Sequence, residues 1–223
     1  MKHEHRLFTI GCSFTKYDWD TWADYVGSFY KEHINLGVPG AGNQFIATEL
    51  TEAILNYDIN PNDRIVIEWS SCEREDRYLS KVDFDLRKYH YWRIPGAITQ
   101  QEFYDKEWVE KYTTKEHFVK RDFMLIHNMF NTLKYLKIPF VMTSMVDMFP
   151  PLLDQSLPQT EASPLQIINL SLKYGETLDE IKPSMKKIIF NNKWPKRNDK
   201  HPTTEEHVMY ANVQLQEVIN NEW

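Results

Sequence analysis

Leu7-Phe8-Thr9-Ile10-Gly11-Cys12-Ser13-Phe14-Thr15 carries a short apolar, β-prone run into a glycine and then a serine. A run of this kind closed by glycine reads as a buried strand, and the residues after it as a turn. Between Trp19 and Tyr30 the residues Trp22, Tyr25, Val26 and Phe29 recur at steps of three, one and three, which is one face of a helix. His33 to Gly37 predicts a second strand, closed by the cluster Gly37-Val38-Pro39-Gly40-Ala41-Gly42. Asn43 to Tyr57 returns to helical spacing in Phe45, Ile46, Leu50, Ile54 and Leu55. After the turn Asn60-Pro61-Asn62-Asp63, the unbroken Ile65-Val66-Ile67 suits a strand covered on both faces. Strands alternating with helices predict βαβ units, hence a three-layer α/β/α fold with a mainly parallel sheet of about five strands.

Further along, residues 73–115 depart from this rhythm and are rich in charge and in aromatics, among them Tyr78, Phe84, Tyr89, Tyr91, Trp92, Phe103, Tyr104 and Trp108. They read as an insertion, either packed on the sheet edge by its aromatics or serving as a substrate lid. Thr114 to Leu136 predicts a long helix that leads into a fourth strand at Pro139 to Met142. Pro150, Pro151 and Pro158 mark an irregular stretch, and Ser163 to Lys187 reads as partly helical. Thr203-Thr204-Glu205-Glu206 has the spacing of a capping box, followed by Val208, Ala211, Leu215, Val218 and Ile219 at helical steps. With no internal repeat or low-complexity tract, residues 1–223 are expected to form a single domain.

Composition limits what such a domain does. A chain of 223 residues with 42% hydrophobic and 26% charged residues is long and apolar enough for one sizeable core. Its formal net charge of −6, with the two signs interspersed, offers no basic face to a polyanion, so no nucleic acid partner is expected. No apolar run approaches a membrane span and no signal segment opens the chain, so the expected setting is cytoplasmic, away from any membrane. Cys12 and Cys72 have no metal or redox spacing, and His3 and His5 read as a frayed terminus. No metal or other cofactor is expected.

In an open parallel sheet ligands bind beyond the carboxyl ends of the strands, which directs attention to the loops that begin at Gly11, Gly37 and Trp69. Ser13 stands at the tip of the first strand, either as a cap or as a hydroxyl placed to attack a carbonyl with its own amide facing the oxyanion. A serine nucleophile needs a base held by a carboxylate, and Asp199-Lys200-His201-Pro202 supplies both. In an extended segment residues two apart point the same way, so Asp199 can orient His201. The side chain of Cys12 is expected to point away from that of Ser13 in a small apolar role.

Together these blocks resemble the SGNH, or GDSL-like, hydrolases. Gly11-Cys12-Ser13-Phe14-Thr15 is similar to the family's first block, Asn35-Leu36-Gly37-Val38-Pro39-Gly40 to its second, and Asp199-Lys200-His201-Pro202-Thr203 to its last. The resemblance implies a flavodoxin-like fold, Ser13 as nucleophile, His201 as base, Asp199 as orienter and the Gly40 amide as an oxyanion donor. It also implies a serine esterase acting on a short-chain acyl ester, a small molecule or an O-acetylated carbohydrate. A related acyltransferase, or a non-catalytic binding or particle-assembly protein on the same scaffold, is the alternative. Two departures stand out. The family's third block, Gly-x-Asn-Asp, is replaced by Ser70-Ser71-Cys72-Glu73, and one residue rather than two separates acid from base. The missing asparagine leaves a third oxyanion donor to be found: Asn43, which otherwise caps its helix, or Ser70 and Ser71 at the tip of strand three.

Overall fold

The computed structural model describes residues 2–78, 88–89, 92–93, 96–98, 104–148, 163–191 and 201–223. The first half alternates β1 (His3–Ile10), α1 (Trp22–Gly27), β2 (Tyr30–Asn35), α2 (Asn43–Asn56) and β3 (Arg64–Trp69). Then come three two-residue strands, β4 (Arg77–Tyr78), β5 (Lys88–Tyr89) and β6 (Trp92–Arg93), and the helices α3 (Lys106–Tyr112) and α4 (Lys115–Leu136). The chain continues with β7 (Phe140–Ser144), α5 (Ser163–Lys173), α6 (Gly175–Asp179), α7 (Met185–Asn191), α8 (Thr204–Gln214) and α9 (Gln216–Asn220).

The main sheet is wholly parallel, in the order β2-β1-β3-β7. Phe8 faces Ile34 on one side and Ile65 on the other, so the apolar run that opens the sequence is the centre of the sheet. Starting from β1, the chain steps outward to β2 and then back past β1 to β3. Right-handed crossovers place the two connecting helices on opposite faces. Accordingly α1 packs with α8 on one side, and α2 with α4 on the other. Every residue of β3 from Ile65 to Trp69 is buried, the signature of a strand covered on both faces. Each fully buried Ile, Leu or Phe contributes roughly 1.5–3 kcal/mol, and the core runs without a break from Leu7 to Val218.

Two boundaries and the strand count differ from the sequence reading. The first helix begins at Trp22, not Trp19, because Thr21 and Asp24 close a capping box, which leaves Trp19 in the preceding loop. The second strand begins earlier, at Tyr30, whose buried hydroxyl donates to the Val218 carbonyl. Among the described residues the main sheet has four strands; at the place of a fifth, Ile181 makes a single parallel bridge to Met142, with the Lys182 amide donating to the Met142 carbonyl at 2.9 Å. Residues 182–184 then turn into α7, so pairing stops after one residue.

Within the insertion, β4, β6 and β5 form a small antiparallel sheet, and Tyr104 stacks on Trp108 at 4.9 Å against the core. Phe84, Tyr91 and Phe103 lie outside the described residues. At the other end of the chain, the capping box at Thr203 and Glu206 opens α8. His3 and His5, far from the carboxyl edge of the sheet, contact the Ile219 and Asn62 carbonyls.

Candidate active site

The change from strand to turn after Ile10 depends on the missing side chain at Gly11. A Cβ there would lie 2.1 Å from Thr15 Oγ1 and 3.0 Å from Glu68 Cβ, so only glycine lets the turn fold back onto β3. The Thr15 and Lys16 amides both donate to the Cys12 carbonyl, and the Thr15 hydroxyl donates to Glu68 Oε2 at 2.7 Å. The Asn35 amide and the Thr21 hydroxyl converge on the Thr15 carbonyl. Ser13 is thus held at the tip of a turn tied to β2, β3 and the start of α1. Glu68 is fully buried, and burial pushes its carboxyl up to about 7 against the hydrogen bond of Thr15 and the charge of Arg74. Cys12 points away from solvent, its thiol directed at Met145 Sδ at 3.7 Å, and burial raises its pKa; it is a neutral core thiol.

The loop after β2 carries the second block. Val38 to Ala41 is a turn closed by the Ala41 amide to the Val38 carbonyl, with Pro39 and then Gly40 at its corners. Gly40 adopts φ +86°, which a type II turn requires at that position and which glycine alone adopts without strain. The loop is anchored by Asp76, whose carboxylate accepts the Gly42 and Phe45 amides at 2.9 and 3.0 Å and so caps α2 from outside the helix. Neither the Gly40 nor the Ser13 amide donates to another described residue.

Beneath this loop runs a buried polar network. Asn43 Nδ2 donates to the Ser70 carbonyl at 3.1 Å and to Asp122 Oδ2 at 2.8 Å, while its Oδ1 accepts the Ser70 amide at 2.7 Å. Asp122 pairs with Arg121 at 2.6 Å; Arg121 also pairs with Glu75 and donates to the Arg74 carbonyl. Burial raises the pKa of Asp122 and opposes the charge of Arg121, yet each holds the other ionised. Both amide hydrogens of Asn43 are spent on protein acceptors and its side chain is fully buried, so it is the tie between α2, the tip of β3 and α4 rather than a spare donor. Ser70 has its backbone locked by Asn43 and a buried hydroxyl without a hydrogen-bond partner among the described residues. Ser71 accepts the Glu73 amide, and burial pushes the Cys72 thiol well up.

From the opposite end of the chain comes His201. Its Nε2 lies 3.0 Å from Ser13 Oγ. The imidazole stacks on Tyr17 with ring centroids 4.1 Å apart and planes 19° from parallel, and presents its edge towards Phe14 and Trp19. Trp19 Nε1 donates to the carbonyl of Pro202 at 3.0 Å, tying the loop before α8 to the segment that carries Ser13. Below Phe14 lies His207, which burial, seconded by neighbouring His201, pushes down to about 3 although Asp24 opposes this; it stays neutral at ordinary pH. Asp199 lies outside the described residues.

The structure therefore brings together Ser13 and His201, and commits Asn43 to the interior. Several residues that organise the site escaped the sequence reading. Asp122 left a signal, an acid among Phe118, Phe123 and Ile126 on the apolar face of a long helix. Asp76 and Arg74 sit in the charged run Glu73-Arg74-Glu75-Asp76-Arg77 directly after a buried strand, where charge is out of place unless paired. Trp19 and Tyr17 were counted with, or next to, a helix that starts later.

No protein-family model matches the chain, and no curated protein sequence matches it significantly. Solved structures do. The chain has the fold of the SGNH or GDSL-like hydrolases, an α/β fold with a parallel sheet between helical layers. A variant of Axe2, an acetyl-xylooligosaccharide esterase from Geobacillus stearothermophilus, aligns with a TM-score of 0.56 at 12% identity, over 98% of this chain and 96% of that one. The psychrotrophic esterase EstA from Pseudoalteromonas sp. aligns at 0.54 and 10% identity, over 98% of this chain and 100% of that one. A GDSL-like lipase from Bacteroides thetaiotaomicron aligns at 0.53 and 16% identity, over 98% of this chain and 89% of that one. At such identities the likeness is one of fold. Among the described residues no helix is long and apolar enough to cross a membrane.

Proposed function

We propose that this protein is a serine esterase of the SGNH type, acting on a short-chain acyl ester of a small molecule or carbohydrate. The observation that carries the reading is the 3.0 Å approach of Ser13 Oγ and His201 Nε2, two residues 188 apart in sequence that meet at the carboxyl edge of the sheet. That edge, where β2 and β3 diverge on either side of β1, is where ligands bind in open α/β sheets. Esterases among the neighbours of the fold support the reaction type by analogy.

In this mechanism the Ser13 hydroxyl donates its proton to His201 Nε2 as Oγ bonds to the ester carbonyl carbon. The carbonyl π pair moves onto oxygen, where the Ser13 and Gly40 amides receive it. Collapse returns that pair, breaks the bond to the leaving alkoxide and delivers the His201 proton to it. Water then repeats the sequence on the acyl-enzyme, releasing the free acid and restoring Ser13. Asp199 holds His201 in the required tautomer. Asn43 keeps the loop beneath the oxyanion in register through its bonds to Ser70 and Asp122.

A panel of aryl esters of increasing acyl length, and an O-acetylated xylo-oligosaccharide, assayed with wild type and Ser13→Ala, tests the proposal. Wild type should release free acid and be labelled covalently by a fluorophosphonate, and Ser13→Ala should do neither. Hydrolysis undiminished in Ser13→Ala sinks the assignment, and an acylated acceptor in place of free acid redirects it to a transferase.

A further inference from the structure

The crevice at the carboxyl edge holds a cation that the reaction above leaves idle. Arg74 belongs to the loop after β3, the loop in which the family's third-block asparagine is missing. Its Nη1 donates to the Ala41 carbonyl at 2.7 Å, and its Nη2 lies 3.5 Å from Met145 Sδ. The same sulfur accepts the Cys12 thiol at 3.7 Å. Ala41 and Cys12 are the chain neighbours of Gly40 and Ser13, the residues whose amides receive the oxyanion in the mechanism above, so the guanidinium holds the neighbour of one directly and meets the neighbour of the other at Met145 Sδ. Room for its stem comes from Gly42, where a Cβ would lie 2.8 Å from Arg74 Cβ.

Two features fit a cation kept for a ligand. Arg74 is half-exposed, and among the described residues it forms no ion pair with a carboxylate. The acids whose fields reach it, Glu68 and Asp76, are buried and engaged elsewhere, Glu68 by the Thr15 hydroxyl and Asp76 by the Gly42 and Phe45 amides. A guanidinium has five N–H groups in a planar fork, and the contacts above leave some of them over.

We propose that Arg74 is the third oxyanion donor of this site, replacing the missing asparagine. The proposal rests on the esterase reading. As Ser13 Oγ bonds to the carbonyl carbon and the π pair moves to oxygen, Arg74 donates an N–H to that oxygen. A charged donor is shorter and stronger than a neutral amide. Arg74 transfers no proton: its own stays in place throughout, and on collapse the pair returns as the leaving alkoxide takes the His201 proton. Because charge on the oxygen appears only in the transition state, the contact raises the catalytic rate and leaves ground-state binding nearly unchanged.

The test uses the full chain with p-nitrophenyl acetate and a fluorophosphonate. Arg74→Met should lower kcat and the labelling rate by about 10²-fold, with KM within about 3-fold and the melting temperature close to wild type. Arg74→Lys should recover part of the loss. Guanidinium chloride at millimolar concentration should restore part of kcat to Arg74→Ala and leave wild type unchanged, a rescue that a lost tether to Ala41 would not show. The proposal is overturned by undiminished kcat and labelling in Arg74→Met, or by a loss that tracks the melting temperature and is not rescued. It is equally overturned if KM rises for an anionic aryl hemisuccinate alone, which would make Arg74 a receptor for a substrate carboxylate. A wild type that is neither labelled nor active removes the esterase reading and this proposal together; labelling that survives in Arg74→Met removes this proposal alone.

Discussion

On one side of Ser13, the loop bearing Gly40 is anchored by buried charge: Asp76 caps α2 through two amides, and Asn43, Asp122, Arg121 and Glu75 continue the chain of polar contacts inward. On the other side, His201 lies against the flat face of Tyr17, and the Trp19 indole donates to the Pro202 carbonyl beside it. Under the proposed mechanism the difference follows from what each side has to do. An oxyanion hole works only if its donors are already aimed before charge appears, and buried ion pairs hold backbone rigidly because breaking any member strands a charge. A base has to pass between its neutral and protonated states while its ring keeps one place. An aromatic face tolerates both, since it stacks on neutral imidazole and attracts the imidazolium.

The largest expected effect joins the two sides. Ser13→Ala and His201→Ala should each reduce ester turnover by about 10³-fold or more, and the double variant should be hardly worse than either. Steady-state kinetics with one aryl ester decide it, and additive losses would mean that the two residues do not work as a unit.

Breaking the polar side should instead cost the fold. Asp122→Ala leaves Arg121 with Glu75 alone and one Asn43 contact open, so denaturant unfolding should show a loss of about 3–5 kcal/mol. Asp122→Asn, which keeps a hydrogen-bond acceptor for Asn43, should lose less. Equal stability in both variants and wild type would remove the network from the account.

Next is the buried acid below Ser13. Folding raises Glu68 from its ordinary 4.5 to about 7, so over that window the folded chain holds the proton and the unfolded chain does not. Stability therefore falls as pH rises from about 4.5 through about 7, and the full penalty stands above that. Glu68→Gln keeps an acceptor for Thr15 without the charge, and above pH 7 it should be more stable than wild type by about 3 kcal/mol, the difference closing below pH 5. Melting curves of both proteins from pH 4.5 to 8.5 check this; a gap that is constant with pH would sink it.

The smallest effects belong to the aromatic side. Trp19→Phe deletes the N–H to Pro202 and keeps the ring, and should cost about 1 kcal/mol of stability or less. Tyr17→Leu should lower kcat about 10-fold with the melting temperature nearly unchanged, because it frees a ring and not a fold. If Tyr17→Leu costs as much stability as Asp122→Ala, the contrast drawn between the two sides is wrong.

Much of this was written in local order. The alternation of Leu7–Ile10, Ile65–Ile67 and the apolar helix faces determines a parallel sheet covered on both sides, because buried parallel strands need unbroken apolar runs and their crossovers need helices. Gly11, Gly40 and the capping box at Thr203 were equally legible, since each is a backbone requirement met by neighbours in sequence. What the tertiary structure alone decided are the long-range polar choices. Asn43 reads as a donor or a cap until α4 brings Asp122 to it across 79 residues, and Arg74 is one more charge in a charged run until Ala41 and Met145 enclose it. Apolar burial is non-directional and therefore visible as a pattern along the chain, whereas a hydrogen bond exists only once both partners are placed in space, and no spacing in the sequence records that placement.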